Sequence, residues 1–185
     1  MKRVQMATKD LQLAAEQERT ILRGGIAVVL SALLLIAGAH FLPQLVTFPH
    51  GPIDSIIFAG RLSLVPGLVL LFAVRLVASV RFRSAEDNRG AAYAPPSQKL
   101  AFPAAFLQNT LEQTVLAVIA NFALASIGSV SATAYMAVGA ALFLIGRIAF
   151  FFGYRRGAGA RSFGMVMTMM PALGVFVWVP IALIM

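Results

Sequence analysis

The sequence predicts an all-α fold, a multi-pass bundle of helices spanning a membrane, on three observations. Hydrophobic residues make up 59% of the 185-residue chain and charged residues 12%, with a mean hydropathy of +0.85. A soluble domain of that size has too little polar surface to cover so much apolar material. Several apolar runs reach about 20 residues, the length a helix needs to cross roughly 30 Å of hydrocarbon. Lys and Arg gather in alternate connections between these runs, the mark of a chain threaded back and forth through a bilayer.

Taken in order, residues 1–20 (MKRVQMATKDLQLAAEQERT) are polar, with weak helical periodicity at Val4, Leu11, Leu13, Ala14 and Ala15. They read as an amphipathic cytoplasmic lead-in lying near the headgroups. A cleaved signal peptide is disfavoured, because its apolar region would begin too late. The first span, ILRGGIAVVLSALLLIAGAHFL, covers 21–42, and Pro43 is expected to end it. PQLVTFPHGPID then turns the chain. The second span runs from about Ile53 to Arg83 and carries Arg61, Pro66 and Arg75, and RSAEDNRGAAYAPPSQK follows as a polar loop. Spans three, four and five cover about 100–127, 132–154 and 164–184, with Pro171 and Pro180 tolerated as kinks. The domain organisation expected is a cytoplasmic segment 1–20, a transmembrane helix 21–45 and a membrane domain 53–185.

Charge sets the orientation. Lys2, Arg3, Lys9, Arg19 and Arg23 precede span one; Arg81, Arg83, Arg89 and Lys99 lie between spans two and three; Arg155, Arg156 and Arg161 lie between spans four and five. The opposite connections, around 43–54 and 127–133, hold no Lys or Arg. Five spans with a cytoplasmic N-terminus satisfy the positive-inside rule at every loop. The net charge of +8 therefore reports topology and not nucleic-acid binding. With no cysteine and only His40 and His50 as imidazoles, no metal site is expected. The plain C-terminus points to a bacterial inner membrane.

Chemistry concentrates in FLQNTLEQTV, where Asn109 and Glu112 stand one turn apart inside an apolar run. An ionised group at bilayer depth costs at least about 2.5–3.5 kcal/mol, so it faces a partner or a cavity. Glu112 lies roughly ten residues into span three, about 15 Å deep, and Arg147 lies about 10 Å deep from the same side in span four. The prediction is an ion pair between them, with Arg75 as a competing partner. A pair that only fixes helix register is the plainer alternative. Arg147 and Tyr154 share a helix face with Phe150 and Phe151 between them, and YRRGAGARSFG adds three arginines and a serine at the cytoplasmic mouth. These residues predict a polar, cationic cavity open to the cytoplasm, suited to a small anionic, peptide-like ligand.

VRFRSAED after span two, QNTLEQ in span three and GRIAFFFGYRRGAGARSFG between spans four and five resemble the membrane-associated proteins in eicosanoid and glutathione metabolism, the MAPEG family. The resemblance covers roughly 53–185. It implies a four-helix core that forms a homotrimer, with glutathione as co-substrate in a cytoplasm-facing cleft between subunits; span one is then an added N-terminal helix packed outside that core. By the same resemblance Arg81, Asn109, Glu112, Arg147 and Tyr154 bind glutathione, Glu112 taking its amino end and pairing with Arg147. Arg161 and Ser162 stand near the thiol. Three positions depart from the family: Gln108 and Ala105 replace basic residues, and Phe150 stands where some members have histidine.

The resemblance implies a transferase or peroxidase that activates a thiol against a lipophilic small molecule arriving from membrane lipid. Arg161 would stabilise the thiolate and Ser162 would donate a hydrogen bond to it. Ser162 as N-cap of span five and Tyr154 as an interfacial belt residue compete with these roles. A non-catalytic lipid-binding or scaffold protein of the same fold is the alternative favoured by the three departures. A small transporter is disfavoured, because no inverted repeat or broken-helix pair is apparent.

Overall fold

A computed structural model describes residues 2–90, 93 and 95–184. Among them every regular element is helical: α1 (Lys2–Leu45), α2 (Pro52–Leu62), α3 (Leu64–Phe82), α4 (Gln98–Ala125), α5 (Val130–Gly153), a 3-10 turn (Tyr154–Arg156) and α6 (Ala158–Ile184). The all-α bundle read from the sequence is the fold. The proposed amphipathic pattern at Val4 and Leu11 falls on side chains outside those described.

Four stretches are long and apolar enough to cross a membrane: Gln12–Leu45, Pro52–Phe82, Val130–Arg156 and Ala158–Ile184. The protein is an integral membrane protein. α4 matches these stretches in length, at 28 residues, but not in apolarity, because it carries Gln108, Asn109, Glu112, Gln113 and Asn121. It buries Gln113 together with Thr110 and Thr114, while Gln108 and Glu112 face outward.

Several boundaries differ from the sequence reading. The lead-in does not separate from span one: α1 runs through residues 2–45 and continues past Pro43 to Leu45. Pro43 has no N–H to give the carbonyl four residues earlier, and the helix ends two residues after it. The second span is two helices broken at Ser63, whose hydroxyl donates to Ala59 O at 2.8 Å. α6 starts at Ala158, six residues before the span expected from 164. Only Gly157, at φ 103°, breaks the chain there, a conformation that favours glycine.

Packing explains the α5–α6 turn. A Cβ at Gly146 or Gly164 would run into the facing helix, as would one at Gly153, so these glycines let α5 and α6 approach backbone to backbone. α1 packs along α6 and α5, burying Ala27 and Leu35 against Leu142 and Met167. A second core joins α2, α4, α5 and α6 through Ala59, Leu124, Met136 and Val175. A third, between α3, α4 and α5, centres on Ala73, Phe106 and Phe150. Outward-facing Ile36, Leu68, Phe72, Ile148 and Val177 form the apolar exterior that lipid solvates.

The end carrying the basic residues is organised by the loop between α3 and α4. Asp87 accepts from Ser84 Oγ at 2.8 Å, from Ser97 N at 2.9 Å and from Ser97 Oγ at 2.7 Å. Ser97 in turn caps α4 by accepting from Leu100 N at 3.3 Å. The Ser97 backbone N–H, followed by the Ser97 and Ser84 hydroxyls and the Arg81 charge, holds the Asp87 carboxyl below its ordinary value of 3.8.

Candidate functional site

The residues singled out in the sequence fall into an interior group and a group at the basic end. Arg147 on α5 is the largest fully buried side chain, 1% exposed. Its Nη1 donates to Asn109 Oδ1 on α4 at 2.7 Å, and its Nε donates to Thr168 Oγ1 on α6 at 3.1 Å. Thr168 donates its own proton to Gly164 O at 2.7 Å, which leaves its lone pairs facing the arginine. The guanidinium lies 4.6 Å from the centre of the Phe150 ring, a cation–π contact. Nη2 is buried without a partner. Three helices are thus tied by one cation through two neutral oxygens.

The expected Glu112–Arg147 ion pair does not form within the chain. Glu112 is exposed on the outer face of α4 and accepts from Gln108 Nε2 at 2.9 Å; Arg75 is also exposed and makes no ion pair among the described residues. The reason is the rotation of α4 about its axis. Phe106, Thr110 and Gln113 are buried, whereas Gln108, Leu111, Glu112 and Val115 face outward. Asn109 sits at the margin between these faces, and the amide, not the acid, reaches α5.

Within the single chain, aromatic rings pack between Arg147 and Tyr154. Phe150 stacks edge-on to Tyr154 with ring centres 5.5 Å apart, Phe102 lies 5.0 Å from Tyr154, and Phe106 lies 5.1 Å from Phe151. Phenylalanines at 102, 106, 150 and 151 fill the space a ligand would need on that side. An apolar cavity of about 480 Å³ opens instead on the α3–α5 face, lined by Leu68, Phe72, Phe106, Arg147, Ile148 and Phe152.

At the basic end, Tyr154 starts the 3-10 turn and is half-buried. The Arg161 guanidinium lies 5.0 Å from the Tyr154 ring centre, so these two are brought together. Ser162 is buried, and its hydroxyl donates to Gly159 O at 3.0 Å. It does not cap α6, because the helix already begins at Ala158. Arg81, in the last turn of α3, holds a buried Nε without a partner. Neither Arg81 nor Glu112 hydrogen-bonds to any other candidate among the described residues.

Sequence reasoning passed over Thr168 and the role of Gln108. The Gln108–Glu112 contact was legible, since residues four apart meet on a helix. Thr168, inside MVMTMM, carried no signal beyond being the one hydroxyl in an apolar run.

Against known families, residues 60–180 match the model of the MAPEG family, well over half of the chain. The match begins within α2 and ends within α6, so α1 lies outside it. Neither the curated proteins nor the solved structures give a match.

Proposed function

The chain belongs to the MAPEG family, and from that premise we propose that it is a glutathione-dependent transferase or peroxidase of the membrane, working as a homotrimer. The observation that carries this reading is Glu112. A carboxylate near the midpoint of a helix within a membrane bundle is exposed and held only by the neutral amide of Gln108. Such a group is costly against lipid, so a partner must come from outside the chain. A second copy covering this face, with the amino group of glutathione against Glu112, supplies both cover and counter-charge.

The residues fit such a ligand in part. Arg81 has a buried N–H with no acceptor among the described residues, and a guanidinium is suited to a peptide carboxylate. Tyr154 and Arg161 form an aromatic–guanidinium platform. Arg147 and Asn109 have positioning roles: they hold α4 against α5 and so set where Glu112 points. Residues 1–20 lie on the cytoplasmic side in this reading, which suits a bacterial inner membrane, and 53–185 is the working domain with 21–45 added to it.

Chemically, a free thiol with a pKa near 8.5 is a few per cent thiolate at pH 7. A guanidinium beside the sulfur favours the anion, and each pKa unit gained corresponds to about 1.4 kcal/mol. Arg161 is the candidate for that charge. The Ser162 hydroxyl is engaged with Gly159 O and its one proton must leave that acceptor to be donated to sulfur. The thiolate forms a carbon–sulfur bond as the bond to the leaving group breaks, and Arg161 remains charged throughout. The lipophilic electrophile enters laterally from lipid.

Arg161→Ala in purified protein should lower the conjugation rate of glutathione with a lipophilic electrophile at least tenfold; an unchanged rate removes Arg161 from the mechanism. The second reading, a non-catalytic lipid-binding or scaffold protein, is favoured by the phenylalanine packing around Phe150 and by Gln108 at a family basic position. Absence of any glutathione-dependent rise in melting temperature would put it ahead.

A further inference from the structure

We infer that the seam between α1 and the α5–α6 turn is a binding site for a phosphate headgroup, and that its ligand is an anionic phospholipid. The inference rests on a cavity of about 410 Å³ outside the family-matched helices on one side, lined by Glu16, Arg19, Arg23, Ala149, Phe152 and Arg156. Two of its arginines come from α1 and the third from the turn after α5.

The charges in this cavity do not balance. Glu16 reaches across to accept from Gly159 N at 3.2 Å and pairs with Arg19 at 3.6 Å. That carboxylate occupies the N-terminal end of α6, where an anion is stabilised by unpaired backbone N–H groups, and it engages Arg19 as well. Arg23 and Arg156 then face the same concavity with no carboxylate partner among the described residues. Two guanidiniums around one cavity invite an oxyanion that bridges them, which they bind as planar forks.

The shape selects a lipid over a soluble phosphate. One wall is the arginines of α1 and the turn, and the other is Ala149 with the exposed ring of Phe152, which continues onto the apolar exterior of α5. An amphiphile with a phosphodiester at the polar wall and acyl chains running down α5 contacts both. Close packing fixes the frame: a Cβ at Gly159 would lie 2.7 Å from Arg19 Cβ, so α1 and α6 touch there without intervening side chains. α1 therefore does more than add a span. It completes a headgroup site beside the N-terminal turns of α6, which carry Arg161 and Ser162.

The test uses full-length protein in nanodiscs, compared in phosphatidylcholine alone and with phosphatidylglycerol added, and in detergent with inorganic phosphate. Bound lipid is counted by native mass spectrometry and stability by melting temperature. The site predicts retained phosphatidylglycerol and a raised melting temperature in the wild type. The double variant Arg23→Gln/Arg156→Gln should weaken retention roughly 25-fold, at about fivefold per arginine. The control Arg83→Gln/Arg89→Gln, equal in charge change but outside the cavity, should retain lipid as the wild type does. If the glutamine pair folds poorly, Arg23→Lys/Arg156→Lys keeps the charge and loses the fork, and it should show an intermediate loss. A melting shift from millimolar inorganic phosphate equal to that from the lipid would assign the arginines to a soluble phosphate and overturn the lipid assignment. Equal lipid retention by the cavity and control variants would overturn the site.

Discussion

The two faces of α4 handle charge in opposite ways. On the inner face Asn109 presents a neutral oxygen to Arg147, a cation sealed among three helices with Thr168 as its second acceptor. On the outer face Glu112, an anion, has only the neutral Gln108 amide and is open to whatever lies outside. Cation and anion, which the sequence suggests are partners, are held apart by the rotation of one helix. The inner face is a finished structural joint. The outer face is unfinished within one chain, and that is the property expected of a face that meets a ligand and a second copy.

The contrast predicts unequal mutational effects. Asn109→Leu removes the shortest acceptor from a buried cation and should cost about 2–4 kcal/mol of unfolding free energy in detergent. Arg147→Met should cost less than Asn109→Leu, because it removes the buried charge together with its hydrogen bonds. If the arginine variant is the weaker of the two, the inner face is not built around the cation. Thr168→Val keeps the shape and loses both the charge-assisted bond from Arg147 and the bond donated to Gly164 O, for a loss of about 1–3 kcal/mol. Glu112→Gln should change single-chain stability by less than about 0.5 kcal/mol while abolishing a glutathione-dependent melting shift. A large intrinsic destabilisation there would mean the outer face is structural as well.

The smallest expected effect is in the α3–α4 loop. The Asp87 carboxyl is held below its ordinary value of 3.8, so the folded form gains stability from its ionised state. That contribution is complete above the ordinary carboxylate range and is lost as pH falls through the lowered folded value. Asp87→Asn should flatten the dependence of melting temperature on pH below about pH 4 and leave the neutral range with a constant offset. A variant with the same acid limb as the wild type would show that Ser84 and Ser97 do not hold the charge.

Much of the fold was legible because apolar length and basic loops are read directly from composition. Helix ends were less so. GAGARSFG reads as a loop, since glycine disfavours helices by about 1 kcal/mol each, yet 158–163 is helical because Glu16 caps the α6 N-terminus and Gly159 is needed for close approach to α1. Both contacts come from a segment about 140 positions earlier, beyond the reach of local pattern. At the site, the spacing of Asn109 and Glu112 put both near one face, about 60° apart around the helix axis. Which of them reaches Arg147 depends on how α4 rolls against α5, where Phe106 and Phe150 pack together. The identity of the polar residues was legible; their partners on other helices were not.

The central claim is that the partner of Glu112 lies outside its own chain and is the amino group of glutathione. Calorimetric titration of glutathione into the wild type and Glu112→Gln, both purified in the same detergent, tests it most directly. The account predicts binding to the wild type and at least tenfold weaker binding to the variant, with N-acetylated glutathione weakened equally on the wild type. Equal affinity of both proteins for glutathione, or no binding to the wild type at all, would contradict it.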